Sequence, residues 1–381
     1  MIKGSASPRS KKYSALKTKF FIADIFLTVA ALVFFQLAFS RFLSGALTEA
    51  FASFYLACLV YIVLFLAFMY VISFPLHLAD SFFVEHRFGL SSQKFTSWAL
   101  DEMKQVLLSF ALWIGCTQVF YLILRNFPNS WWLISALFWI FFSVILSRIL
   151  PVLIIPLFFK YIPIEDRELK ERIFSLAENA QIRLLDVCKI DFSRKTKKAN
   201  AALVGLGRTR KVILADTLTD EFTPDEVETV VAHEFAHCKY RHIWKLLFFS
   251  GITTAAGFYV LFLAAKRIVE LTGARGIDDL YIFPVLVLLM IAAGLVILPV
   301  HNLFSRFLEK EADRFALSLS RDPETFISVM EKLASMNLAD MDPSRWKKIF
   351  LYDHPPIRER IQMAEDINKN EKQQEKNKGN I

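Results

Sequence analysis

Six apolar stretches dominate this chain, at about residues 20–40, 54–78, 105–124, 131–159, 244–265 and 281–304. Crossing the hydrocarbon core of a bilayer takes about 20 helical residues, and a chain in lipid must satisfy its backbone polar groups internally. Runs of this length restrict the fold to a bundle of membrane-spanning helices. Composition agrees: 55% of the 381 residues are hydrophobic, 38 of them Phe, and the mean hydropathy is +0.39. Soluble domains hold roughly 45–50% apolar residues, so an ordinary water-soluble enzyme is excluded. The fourth stretch is overlong and carries Pro151 and Pro156, which predicts a kink or a re-entrant turn. The first follows a basic segment and is itself long enough to span, so it reads as a retained helix rather than a cleaved signal peptide.

Basic residues are retained on the cytoplasmic side of membranes. The N-terminal segment holds Lys3, Arg9, Lys11, Lys12, Lys17 and Lys19, whereas the alternate loops hold only Arg41, then Arg125, then Lys266, Arg267 and Arg275. This bias predicts both termini and the large polar regions on the cytoplasmic side. The net charge of +8 is thereby assigned to membrane orientation, and no nucleic-acid partner is expected. The expected organisation is a basic N-terminus (1–19), four membrane helices (20–159), a polar half-domain (160–243), two more membrane helices (244–304), a second polar half-domain (305–367) and a disordered polar tail (368–381). Arg148 and Asp24, inside the fourth and first runs, are expected either to face an interior partner or to reach the inner interface. Cys58, Cys116, Cys188 and Cys238 show no paired spacing and predict neither a disulfide framework nor a thiolate metal site.

The polar region 160–243 predicts a helix near Ile164–Gln181, strands at 187–192, 201–204 and 212–214, and a turn marked by Gly205 and Gly207. A small antiparallel sheet is expected from these. Thr223-Pro224-Asp225-Glu226 has the form of a capping box with Pro at the first helical position. Inside the helix it starts lies His233-Glu234-Phe235-Ala236-His237. Histidines four apart share one helical face and can reach a single Zn2+, with the intervening glutamate beside the metal's water. A catalytic zinc needs a third protein ligand. Since the fifth and sixth runs form a hairpin, the chain returns to the same side at Ser305–Asp313, where Glu309 and Glu311 are both candidates; spacing alone does not choose between them.

The pairing of HEFAH with the later Glu309-x-x-Ala312-Asp313 resembles the integral-membrane zinc metalloproteases of the type I CAAX prenyl protease, or a-factor-converting enzyme, family. Further matches are FPLHLADSFFVEHRFGLS (74–91), Asn200-Ala201-Ala202, and His354-Pro355-Pro356 followed by Glu359-Arg360. The resemblance covers roughly residues 70–365. It implies a mainly helical, multi-pass membrane protein with a zincin-like α+β catalytic domain, one Zn2+ per chain held by His233, His237 and Glu309, and Glu234 as general base. It further implies that Asp313 orients a ligating histidine, that His354 stabilises the oxyanion, and that Asn200, Ala201 and Ala202 hold substrate backbone. Two departures stand out: six spans where eukaryotic members have seven, with the N-terminus moved inside as the charges require, and no long insertion before the catalytic helix. The missing insertion favours a bacterial-type member, and the missing span leaves open whether the helices enclose a complete chamber or a laterally open one.

The expected activity is therefore zinc-dependent hydrolysis of peptide bonds in membrane-associated or CAAX-type, prenylated proteins. The alternative within the class is a quality-control protease acting on membrane-embedded proteins without prenyl specificity; a transporter or scaffold would not require the histidine pair and a returning carboxylate. The bilayer is the other partner, with the bacterial inner membrane favoured over the endoplasmic reticulum.

Overall fold

The computed structural model describes residues 7–205 and 207–378. Four long helices come first: α1 (Pro8–Ala50), α2 (Phe54–Arg87), α3 (Phe95–Asn126) and α4 (Trp131–Ile149). Two more follow the first polar region, α7 (His242–Thr272) and α8, whose α-helical body is Phe283–Ser320. All six are long and apolar enough to cross a membrane. Their outward faces carry large apolar side chains such as Phe26, Leu37, Val71, Phe248 and Val296, the inverse of a soluble bundle. The protein is thus a multi-pass helical membrane protein.

Several boundaries differ from the expectation. Helix α1 already begins at Pro8, capped by the Ser7 hydroxyl, so much of the basic segment 1–19 is helical; Lys3 lies outside the described residues. The fourth run breaks at Ile149 into a widened π-helical segment, Leu150–Ile154, and a single turn, Ile155–Phe158. Proline removes a backbone donor and clashes with the preceding turn, which accounts for the break. Arg148 is exposed, with its guanidinium over the Trp244 ring at 5.7 Å, and Asp24 is exposed on α1.

Packing in the bundle is concentrated at the end far from the polar half. Leu32, Phe35, Tyr61, Tyr121, Trp131, Phe258 and Ile282 form one buried cluster there. A second core fills the polar half, where Ile173, Val187, Val212, Leu214, Val231, Phe235, Ala312 and Phe326 interlock.

The sheet is mixed, which corrects the antiparallel expectation. Its strands are β1 (Tyr161–Pro163), β2 (Asp186–Ile190), β3 (Ala201–Val204) and β4 (Lys211–Ala215), in the order β1-β2-β4-β3. The β1–β2 and β3–β4 pairs are antiparallel, but β2 and β4 run parallel. After the β3–β4 turn, β4 inserts between β2 and β3, which leaves β3 as a free edge. Gly205, with φ +86 and a Cβ position 2.4 Å from Thr209 O, is required by that turn.

Helix α5 (Arg167–Asn179) precedes β2 and packs on α6 (Pro224–Lys239). The capping box on α6 is complete: Thr223 N–H donates to Glu226 Oε2 at 2.8 Å, and Glu226 N–H to Thr223 Oγ1 at 3.4 Å. Lys332 Nζ and Ser328 Oγ donate to the same carboxylate at 2.6 and 2.7 Å, which ties α6 to α9 (Pro323–Met336). Two helices follow, the short α10 (Arg345–Leu351) and the longer α11 (Ile357–Lys378). The tail expected to be disordered is therefore helical as far as Lys378; residues 379–381 lie outside the described residues.

Candidate active site

Two helices build the site. Helix α6 carries His233, Glu234 and His237, and its end joins α7 through Tyr240 and Arg241, the latter in the left-handed region at φ 56. Helix α8 continues without interruption from its apolar body into Ser305–Ser320, bringing Glu309 and Asp313 against α6. The hairpin of α7 and α8 thus returns the chain to the histidines.

Among the described residues, His233, His237 and Glu309 form a group whose donor atoms all lie within 4.8 Å of one another. His233 Nε2 lies 3.2 Å from Glu309 Oε2, His237 Nε2 3.4 Å from Glu309 Oε1, and the two Nε2 atoms are 3.2 Å apart. Two imidazole nitrogens and a carboxylate converging on one point form the donor set of a catalytic zinc with an open fourth position. The carboxylates of Asp313 and Glu309 draw positive charge toward His233, while His237 resists a second proton. Burial lowers the pKa of His233, but its hydrogen bonds to Asp313 and Glu309 outweigh that and lift it to about 9. His237, partly buried and beside His233, falls to about 4. The residues fit the metal. Glu311, the alternative to Glu309, points elsewhere, accepting from His242 Nε2 and Lys245 Nζ at 3.0 Å each.

Each of these two histidines is held from behind. His233 Nδ1 lies 2.9 Å from Asp313 Oδ1, and Asp313, fully buried, accepts from Arg360 Nε at 2.8 Å and Nη2 at 2.5 Å. His237 Nδ1 lies 2.9 Å from Nδ1 of the buried His242. Glu234 is partly buried; burial raises its carboxyl above the ordinary range, and it accepts a hydrogen bond from Leu203 N–H on the edge strand. His354 Nε2 comes within 3.2 Å of Glu309 Oε2, with Nδ1 2.8 Å from Asp353 Oδ1. Side-chain exposure of 52% leaves His354 open to an incoming ligand.

Asn200, Ala201 and Ala202 lie at the start of β3. Asn200 C=O accepts from Ala215 N–H at 3.0 Å, so by strand alternation the N–H groups of Ala201 and Leu203 point to the free edge. Ala201 N–H donates to the Asn200 side-chain oxygen at 2.9 Å, and Leu203 N–H to Glu234. The Asn200 amide therefore caps its own strand here. Arg360, in sequence only the residue after Glu359 in the C-terminal motif, grips the buried Asp313 with two bonds, and that burial is why an arginine is needed there.

Comparison with known proteins follows this geometry. The family model described as Peptidase family M48 matches residues 163–368, and the one described as CAAX prenyl protease N-terminal, five membrane helices, matches residues 2–160. Four long apolar helices occupy that second stretch here. An uncharacterized metalloprotease, YhfN of Bacillus subtilis, is 33% identical over 282 residues, 73% of this chain and 66% of the relative. CAAX prenyl protease 1 of Saccharomyces cerevisiae is 28% identical over 323 residues, 79% of this chain and 70% of the relative. The chain thus spans about two thirds of the length of these relatives. The crystal structure of S. mikatae Ste24p superposes with a TM-score of 0.82 at 25% identity, covering 93% of this chain and 88% of that one.

Proposed function

The chain belongs to peptidase family M48 as a membrane metalloprotease, and on that premise we propose that it cleaves peptide bonds in membrane-associated proteins, CAAX-type prenylated proteins among them, with one Zn2+ per chain. The family implies a metal, generally zinc, and a peptide or protein substrate. The observation that carries the reading is the convergence of His233, His237 and Glu309 beside Glu234. Bound there, zinc would polarise the scissile carbonyl and acidify a water molecule.

The chain's own residues then have distinct tasks. Glu234, its pKa raised by burial, takes the proton of the attacking water and passes it to the leaving amine. His354, open to solvent and oriented by Asp353, donates a hydrogen bond to the carbonyl oxygen as charge builds on it. Asp313 fixes the orientation of His233. The free edge of β3 at Asn200–Ala202 takes substrate as an added strand, with the Asn200 amide exchanging its bond to Ala201 for one to the substrate backbone.

The charge distribution supports a cytoplasmic site, with segments 20–159 and 244–304 in the bilayer and 160–243 and 305–367 forming the catalytic half, and the absence of a long insertion before the catalytic helix favours a bacterial inner membrane over the endoplasmic reticulum. The names of the yeast and plant relatives, CAAX prenyl proteases, support a prenylated substrate. The test is purification in detergent, zinc quantification, and digestion of a prenylated CAAX peptide alongside an unfolded membrane protein. Glu234→Gln should keep one zinc per chain and lose peptidase activity by at least a hundredfold; full activity would refute the assignment. Cleavage of the unfolded protein alone would replace prenyl-directed processing by quality control.

A further inference from the structure

Helix α10 (Arg345–Leu351) is built inside out. Trp346, Ile349 and Phe350 recur at i, i+3 and i+4, so they share one face, and each is 44–46% exposed. The two lysines between them turn toward the protein instead. Lys348 donates to Glu359 on α11, and Lys347 Nζ reaches Ser14 Oγ on α1 at 3.5 Å. A helix lying on a wet protein surface buries its apolar face and exposes its lysines. This one does the reverse.

Its backbone tells the same story independently. The last carbonyls of a helix have no partner within the helix and usually turn to water. Here α8 supplies the donors. Asn302 Nδ2 donates to Ile349 O at 3.3 Å and Phe350 O at 2.9 Å, and Arg306 Nη1 to Lys348 O at 2.7 Å and Tyr352 O at 2.5 Å. Both donors are buried. Carbonyls satisfied from within the protein are what a water-poor setting demands.

Depth is set by the same helix. Val296, Val300, Leu303 and Phe307 form a stripe at i, i+4, i+7 and i+11 on α8, each 51–74% exposed. The stripe continues the lipid-facing surface of the sixth span past the residues that grip α10. Helix α10 therefore lies at the level where the apolar surface of the bundle ends.

We propose that α10 is an interfacial anchor whose Trp346, Ile349 and Phe350 face is immersed at the boundary between acyl chains and headgroups of the bilayer that the six helices cross. The occupant of this face is phospholipid, because α8 holds α10 through Asn302 and Arg306, each directly preceding a residue of the exposed apolar stripe, Leu303 and Phe307, and aromatic side chains favour that boundary. Arg345, exposed at the start of the helix, is placed to reach the headgroups. Leu351 leads directly into Tyr352-Asp353-His354, so the anchor also fixes where the His354 loop leaves the membrane surface. The anchor rests on the multi-pass architecture alone and not on any catalytic role of His354.

The experiment uses the unaltered full-length chain in phosphatidylcholine–phosphatidylglycerol vesicles, with a phosphatidylcholine carrying a diazirine near the top of its acyl chain. After photolysis, adducts are mapped by mass spectrometry. Trp346 and the segment 349–352 should be labelled within about threefold of Leu303 and Phe307. Labelling of Leu303 with none on α10 would overturn the proposal, whether water or another protein surface covers that face. Peptidase activity does not enter the readout, so a failure here leaves the proposed function untouched.

Discussion

The two histidines that face Glu309 are backed in different ways. Behind His233 stands a carboxylate with no exposure, itself gripped by two bonds from the buried Arg360. Behind His237 stands another imidazole, and only beyond it comes Glu311, 34% exposed and shared with Lys245. The bonding in the second arm can be worked out. If His237 offers Nε2 to a metal, its Nδ1 keeps the proton and donates to His242 Nδ1, which leaves the His242 proton on Nε2, facing Glu311. Both arms therefore end on a carboxylate, one directly and one through a relay. The direct arm is sealed in the catalytic core. The relayed arm passes through His242, the first residue of α7, and so ties the candidate metal centre to the membrane bundle.

Substitutions separate the arms, and the largest effect belongs to the sealed one. Arg360→Met leaves Asp313 buried without its cation, and breaking such a pair costs about 3–5 kcal/mol. Thermal unfolding of the detergent-solubilised protein should show that loss, and an unchanged midpoint would mean that the pair is not the brace it resembles. Asp313→Ala removes the partner of His233 itself and should weaken zinc binding by about 10–100-fold, read by competition with a chromogenic chelator. Glu311→Gln should weaken it by less than about tenfold, because the amide oxygen still accepts from His242 and the site is partly solvated. If Glu311→Gln matched Asp313→Ala, the distinction between a sealed and a relayed arm would collapse.

How much of this could be read beforehand depended on whether a feature is local. The six spans are properties of uninterrupted segments, and the histidine pair needs only helical spacing. Choosing between Glu309 and Glu311 was different: two residues apart, they sit about 200° around a helix from each other, and only the packing of α8 on α6 decides which turns inward. The resemblance to the CAAX protease family named Glu309, and that is the carboxylate found beside the histidines. Strand positions were legible from turns and β-branched residues, but strand order was not, since nothing local to Lys211–Ala215 says that it inserts beside β2. Strand β1, three residues ending in Pro163, was too short to announce itself. The tail from Asn368 has few apolar residues, yet Ile357, Ile361, Ala364 and Ile367 pack on the catalytic core. The good helix formers after them extend an existing helix rather than nucleating one.

One consequence concerns α8. Its 38 α-helical residues extend about 57 Å at the usual rise, far more than the hydrocarbon thickness of about 30 Å, and the same rod that crosses the bilayer carries Glu309 and Asp313. The helix contains an internal proline, Pro299, where the i−4 hydrogen bond is missing, and Glu309 stands ten residues beyond it, about 15 Å along the axis. A tilt of about 5° there would move the carboxylate by about 1 Å, and misplacements of that size cost enzymes about a hundredfold in rate. Helices adjust their tilt to the thickness of the lipid around them. The thickness of the host membrane is therefore one of the dimensions of this active site.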